Sequence, residues 1–150
     1  MTNTLEGVSE IEISYRPSIG NKPIVTCSSD AYLILKEYYP AEKISMQETC
    51  VVLYLNNANR VLGVLRLSNG GMTSAIVDIR ILLATALKIL STGIILCHNH
   101  PSGKLYPSEQ DKKLTNQIAE AAKLLDIKLL DHLILAPDNQ YLSMSEKGHL

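Results

Sequence analysis

Two apolar runs of strand length constrain the fold of this chain more than any other feature. Residues 50–55 and 93–97 carry apolar side chains at nearly every position, which is typical of strands buried on both faces. Residues 61–67 are also rich in strand-forming side chains, and residues 56–60 between them contain three asparagines, which favour a turn. The first run and residues 61–67 are therefore predicted to form a hairpin.

Helical patterns account for much of the chain between the predicted strands. The predicted helices are 29–39, 79–90 and 108–125, with Ser29, Asp78 and Ser108 at their N-termini. The second helix is apolar on nearly every side, so we expect it to be well buried. The third carries an apolar stripe formed by Leu114, Ile118, Ala121 and Leu125.

Short strands are predicted near both ends of the chain, over residues 11–15, 127–135 and 141–144. A loop is expected at 68–71, and no repeat or long linker divides the sequence. This order of elements favours one α/β domain over 1–150, a sandwich in which helices flank a mixed β-sheet. We expect residues 1–44 to form an N-terminal strand and helix. An exposed edge strand there could pair two copies of the chain.

The charge balance argues against a nucleic-acid partner. The 150 residues include 14 basic and 15 acidic side chains, so the net charge is −1 and no long-range field attracts a polyanion. Seven tyrosines, with no phenylalanine or tryptophan, leave little material for stacking bases. DNA binding through a local basic patch is not excluded by this argument.

The cysteines and the N-terminal residues predict a cytoplasmic location. Cys27, Cys50 and Cys97 are odd in number and widely spaced, which is typical of reduced thiols and not of a disulfide framework. The sequence contains no secretory signal and no apolar stretch of about 20 residues, so we expect no membrane association.

His98 and His100 follow directly on the second apolar run. In an extended segment, residues two apart point to the same side, and two neutral imidazoles on one side are a natural pair of zinc ligands. Asp111 lies three residues before Leu114, on the stripe face of the predicted helix, where a buried carboxylate needs a partner. Three protein ligands leave a fourth position for water, which is the pattern of a catalytic zinc site.

Simpler interpretations of the same residues remain open at this point. Ser108 and Asp111 have the spacing of a helix capping box, which would give the carboxylate a purely local use. Residues 101–103 have the composition of a tight turn. Histidines in such a loop are commonly polar surface residues.

The complete pattern resembles a known family. His98-x-His100, seven residues, and then Ser108-x-x-Asp111 match the signature H-x-H-x7-S-x-x-D of the JAB/MPN, or JAMM, metalloproteases. The strings HNHPSG and LDHLI are similar to the bacterial RadC-like branch, and the resemblance covers residues 45–148. It implies the JAB/MPN fold, an α/β sandwich related to cytidine deaminases. Longer RadC-like proteins carry a helix–hairpin–helix module, for which residues 1–26 are too short and too strand-like.

The resemblance also implies a role for each residue of the site. His98, His100 and Asp111 would hold one zinc ion per chain. Glu48 would be the general base and acid on the zinc-bound water, and Ser108 would steady the oxyanion of the tetrahedral intermediate.

Further residues are nominated for supporting roles. Asp131 and His132 would orient a metal ligand or form a buried pair that walls a substrate groove. Asn99 and Ser102, which lie beside the histidines, belong to the same group. Cys97 is expected in the core. The alternative candidates for the base are Glu37 and Glu42.

Two functions of different classes follow from these observations. The first is zinc-dependent hydrolysis of amide bonds in a peptide or protein substrate, at peptide or isopeptide linkages. The second is a non-catalytic binding module of DNA-repair or mobile-element machinery, because a DNA-repair label accompanies the RadC-like branch. A deaminase would need H-x-E and P-C-x-x-C, which this chain lacks, and a nuclease would more often use several carboxylates with Mg²⁺.

Overall fold

A computed structural model describes residues 6–69 and 77–150 of the protein. Its strands are β1 (Thr49–Leu55), β2 (Val61–Asn69), β3 (Gly93–Asn99), β4 (Lys128–Ala136) and β5 (Gln140–Ser143). They form one sheet in the order β2-β1-β3-β4-β5. β3 and β4 run parallel and the other neighbours are antiparallel, which confirms the mixed sheet.

The two apolar runs form central strands, as predicted. Every residue of β1 and of β3 is buried, because each strand has a hydrogen-bonded neighbour on both sides and side chains packed on both faces. β1 and β2 form the predicted hairpin, and the Asn56 side chain stabilises its connection by accepting hydrogen bonds from the backbone of Ala58 and Arg60.

Helices cover both faces of the sheet. They are α1 (Ser28–Leu35), α2 (Ala41–Ile44), α3 (Ile79–Lys88) and α4 (Glu109–Lys123). Asp78 and Ser108 cap α3 and α4, as predicted. The predicted helix 29–39 divides instead: α1 ends at Leu35, and a single 3₁₀ turn follows over Lys36–Tyr38. Tyr39 leaves the helical region, because Pro40 disfavours that region for the residue before it.

Alternation along the central strands divides the core into two apolar layers. Val52 and Leu96 pack with α3 and α4 on one face, whereas Val51 and Cys97 pack with α1 on the other. All of these side chains are fully buried. The molecule is therefore an α/β sandwich, and Cys97 lies in its core as expected.

The N-terminal strand predicted at residues 11–15 is not formed. Ile11 and Ile13 are 86% and 73% exposed, and their segment has no regular secondary structure. A strand needs a ladder partner, and the first ladder contact on this side is a single bridge between Ile24 and Arg60. Alternation of apolar and polar residues was therefore insufficient, and within the described chain the sheet edges are β2 and β5.

Two other boundaries differ from the sequence prediction. β3 continues to Asn99, so His98 lies in a strand and not in a loop. The predicted loop at 68–71 begins with two residues of β2, and the rest of it lies outside the described residues. In residues 6–69 and 77–150, no helix combines the length and the apolar character needed to cross a membrane.

Helix α4 packs with a slightly different face from the predicted one. Its buried residues are Thr115, Ile118 and Ala122, whereas Leu125 lies beyond the helix end and is 41% exposed. Asp111 is four residues before Thr115, so it lies on the same side of α4 as the buried residues.

Candidate metal centre

His98 and His100 bring their imidazoles together at the carboxyl end of β3. His98 is the penultimate residue of the strand and His100 the first residue beyond it. Their Nε2 atoms are 2.9 Å apart. The spacing of two residues therefore places both rings on one side, as the sequence predicted.

The first turn of α4 brings Asp111 to the same point. One of its carboxylate oxygens lies 3.2 Å from His98 Nε2, and the other lies 3.1 Å from His100 Nε2. The side chains of His98, His100 and Asp111 are only 6%, 14% and 14% exposed to solvent. Ligand atoms around a tetrahedral zinc ion lie roughly 3.3 Å apart, which is close to these separations.

The capping box that the sequence left open is also present. Ser108 Oγ accepts from the Asp111 backbone N–H at 3.0 Å, and the Asp111 carboxylate accepts from the Ser108 N–H at 2.8 Å. The two interpretations are compatible, because the capping bonds fix the carboxylate while it faces both histidines.

Glu48 reaches the cluster from the residue that precedes β1. It is only 7% exposed, and its Oε1 lies 3.8 Å from His98 Nε2. Glu48, His98 and His100 each offer a ligand atom within 4.8 Å of the other two, so this group could hold a metal ion. The alternative candidates Glu37 and Glu42 are exposed residues and are not part of this group.

The outer nitrogen of His100 fixes the tautomer of its ring. His100 Nδ1 lies 2.6 Å from the carbonyl oxygen of Lys104, which can only accept a hydrogen bond. Nδ1 must therefore donate, and in the neutral ring Nε2 carries a lone pair towards Asp111.

A buried chain of hydrogen bonds fixes the tautomer of the His98 ring. The Thr115 hydroxyl donates to the Asp111 carbonyl at 2.7 Å, so it accepts from His132 Nδ1 at 2.6 Å. His132 Nε2 then accepts from His98 Nδ1 at 2.7 Å, which leaves a lone pair on His98 Nε2. Burial lowers the pKa of His132 well below its usual value, in agreement with a neutral ring.

Every inward-facing atom of the cluster is thus a hydrogen-bond acceptor. These atoms are the Nε2 atoms of His98 and His100 and the carboxylate oxygens of Glu48 and Asp111. Lone pairs at such distances repel one another unless a proton or a cation lies between them. The donor set, two imidazoles and carboxylate oxygen, suits a divalent transition metal.

The charges within the cluster differentiate the two carboxylates. Burial raises the pKa of Asp111, but the adjacent imidazoles of His100 and His98 outweigh it and hold that pKa well below the ordinary value. Burial lowers the pKa of His100, but the Asp111 carboxylate and the Lys104 carbonyl leave it raised overall. Burial raises the pKa of Glu48, and the histidines offset this only in part. Asp111 is therefore the fixed anion and Glu48 the carboxylate closer to protonation.

The remaining four nominated residues have different surroundings. His132 supports a member of the cluster, as described above. Asp131 faces away from it and accepts hydrogen bonds from Ser143 and from the backbone of Ser145, so it ties β4 to the end of β5 and to the residues that follow. Ser102 is exposed and accepts a long bond of 3.4 Å from the Lys104 N–H. Asn99 is fully buried, so it does not line an open groove.

Thr115 is the site residue that the sequence analysis missed. It is 1% exposed and completes the hydrogen-bond chain behind His98. Its signal was a polar residue on the same helix face as Asp111, at the spacing of four.

Comparisons with known proteins match most of the chain to one family. Residues 25–149 match the family model described as the RadC-like JAB domain. A UPF0758 protein of Flavobacterium johnsoniae is 43% identical over 124 residues, which are 83% of this chain and 52% of that protein. A UPF0758 protein of Porphyromonas gingivalis is 35% identical over 143 residues, or 95% of this chain and 63% of that protein.

The chain spans about half the length of the curated relatives it matches, and their names state no activity. The matched region nevertheless contains the whole cluster, from Glu48 to Asp111, and the sheet that carries it. The chain belongs to the RadC-like JAB domain family.

Proposed function

We propose that the protein is a zinc-dependent hydrolase of the JAMM type, which cleaves amide bonds in peptides or isopeptide-linked proteins. The observation that carries the proposal is the acceptor-only cluster, in which two imidazoles of fixed tautomer and one carboxylate face a common point beside a second carboxylate. A structural role alone does not require four acceptors to converge, because their lone pairs repel one another unless a cation or a proton lies between them.

The zinc ligands in this proposal are His98, His100 and Asp111. The two Nε2 atoms lie 2.9 Å apart. The Asp111 carboxylate oxygens lie 3.2 Å from His98 Nε2 and 3.1 Å from His100 Nε2. A zinc ion bound there would supply a Lewis acid that polarises the substrate carbonyl and lowers the pKa of water towards about 7.

Glu48 is the general base and acid in this proposal. Its raised pKa places it nearer to the range in which a carboxylate can both accept a proton and return it. It would take a proton from the attacking water and pass it to the leaving amine. Asp111 is poorly suited to that task, because its strongly lowered pKa keeps it anionic.

Ser108 is the oxyanion donor in this proposal. In its described hydrogen bond the Ser108 hydroxyl only accepts, from the Asp111 N–H. Its own proton therefore remains available to the oxygen that becomes negative during attack on the carbonyl. Its place at the N-terminus of α4 adds the positive end of the helix dipole.

The decisive experiment compares Glu48→Gln with the wild-type chain at saturating zinc. Cleavage of a fluorogenic peptide library should fall by at least about 10²-fold in the variant, because the proton acceptor is lost while zinc remains bound. Glu42→Gln, which alters an exposed carboxylate on α2, is the matched control and should keep its activity. Undiminished cleavage by Glu48→Gln would refute the mechanism. Binding to DNA or protein that survives the substitution, without any cleavage, would favour the binding-module alternative.

A further inference from the structure

Asn99 is a fully buried polar side chain that the proposed chemistry does not use. It is the last residue of β3 and lies between the two histidines in sequence. By strand alternation its side chain points to the opposite face from theirs. Both the amide group and the carbonyl oxygen of its carboxamide nevertheless make hydrogen bonds.

The partners of Asn99 lie on both sides of Glu48. The Asn99 amide group donates to the carbonyl oxygens of Ile44 and Gln47, each at 2.8 Å. Its carbonyl oxygen accepts from the Thr49 N–H at 2.7 Å. Ile44 ends α2 and Thr49 begins β1, so one side chain spans the segment that presents Glu48.

Only a carboxamide of this size makes these three bonds at once. An aspartate keeps the acceptor for Thr49 but places a negative oxygen against two carbonyls. A serine has a single proton and cannot reach the backbone on both sides. The carbonyls of Ile44 and Gln47 would then lose a buried donor, which is costly for the segment that holds them.

We propose that Asn99 is the positioning residue for Glu48, because it fastens the backbone on both sides of that carboxylate to the strand that carries the metal-ligand histidines. This inference rests on the proposed function, since Glu48 matters only if the cluster binds a metal. The hydrogen bonds of Asn99, on the face of β3 opposite the histidines, hold the Glu48 segment so that the Glu48 carboxylate lies 3.8 Å from His98 Nε2.

Hydrogen exchange in the metal-free chain tests the hydrogen bonds themselves. In Asn99→Ser, exchange of the Thr49 amide should accelerate by at least about tenfold, while amides at the centre of β3 keep their protection. Asn56→Ser removes another asparagine that bonds to backbone groups, far from the site, and should leave the Thr49 amide unchanged. If Asn99→Ser does not fold, Asn99→Asp is the substitute, and its readout is faster exchange of the Met46 and Gln47 amides, because it keeps the acceptor for Thr49 and loses the donors to the Ile44 and Gln47 carbonyls. An unchanged Thr49 amide in folded Asn99→Ser, or unchanged Met46 and Gln47 amides in folded Asn99→Asp, would overturn the proposal.

Zinc affinity in a double-mutant cycle separates positioning from a general structural effect. Glu48→Gln should weaken Zn²⁺ binding by about tenfold, and Asn99→Ser by a similar factor. In the Glu48→Gln background, Asn99→Ser should have almost no further effect, because the group that it positions is absent. A full additional loss would overturn the positioning role. If the wild-type chain binds no zinc while the Thr49 amide responds as expected, the proposed function fails and the segment is held for another purpose.

Discussion

At the scale of single residues, function depends on where protons are held. The outer nitrogens of His98 and His100 are hydrogen-bonded to His132 and to the Lys104 carbonyl, so the inner nitrogens present lone pairs. The sequence predicted the inner residues, because an alternation of two and a helical spacing are local properties. It could not reveal the Thr115–His132 chain, since that chain joins α4 to β4 across 17 residues of sequence.

The buried His132 predicts a pH dependence of stability. Its folded-state pKa is well below the ordinary value of about 6.5, so below that pH the unfolded chain binds the extra proton. The free energy of unfolding of the metal-free chain should therefore decrease as the pH falls below about 6.5, by up to about 1.4 kcal/mol per pH unit from this group.

Chemical denaturation between pH 5 and 7.5 in the presence of a chelator checks this prediction. The His132→Gln variant should lose the contribution of this group to the slope. His149→Gln, near the C-terminus, should retain it. A His132→Gln variant with the slope of the wild type would show that His132 is not kept neutral by the fold.

At the scale of elements, the site depends on the meeting of a strand end and a helix start. β3 delivers the histidines and α4 delivers Asp111 through its capping box. The sequence predicted both elements from apolar content and caps, but β3 extends two residues further than its apolar run because Asn99 and His98 find partners inside the fold. The buried face of α4 was misplaced by one position because Thr115, a polar residue, belongs to it.

The capping box predicts a coupled loss in the Ser108→Ala variant. Removing the Ser108 hydroxyl should lower the free energy of unfolding by about 1 kcal/mol. It should also weaken Zn²⁺ binding by about tenfold, because the Asp111 backbone loses the bond that orients it.

Asp78→Ala provides the matched comparison, since Asp78 caps α3 by accepting from the Arg80 N–H. Urea unfolding should give a similar loss of stability for this variant, and zinc titration should give the wild-type affinity. Equal zinc affinities for Ser108→Ala and the wild type would show that the helix cap is not needed to orient Asp111 for metal binding.

At the scale of the whole molecule, a mixed sheet with helices on both faces brings residues 48 and 111 together. The sequence predicted this class from buried strand runs that alternate with helices. The N-terminal residues 11–15 were predicted wrongly, because alternation indicates a strand only if a sheet edge accepts it. Local sequence patterns do not determine which distant segments pair in the sheet.

Metal binding at a point where three segments meet should stabilise the whole fold. Zinc at 100 times its dissociation constant adds about 2.7 kcal/mol to the free energy of unfolding, if the unfolded chain does not bind it. A chelator should therefore lower the midpoint of thermal unfolding by several degrees in the wild type. In Asp111→Asn the difference between zinc and chelator should shrink strongly, and an undiminished difference would place the metal elsewhere.

The most direct measurement of the central claim is the metal content of the chain purified without chelator, determined by elemental analysis. We expect about one zinc ion per chain in the wild type and little or none in Asp111→Asn. A correctly folded wild-type chain that contains no zinc, and takes up none when zinc is added, would contradict the central claim.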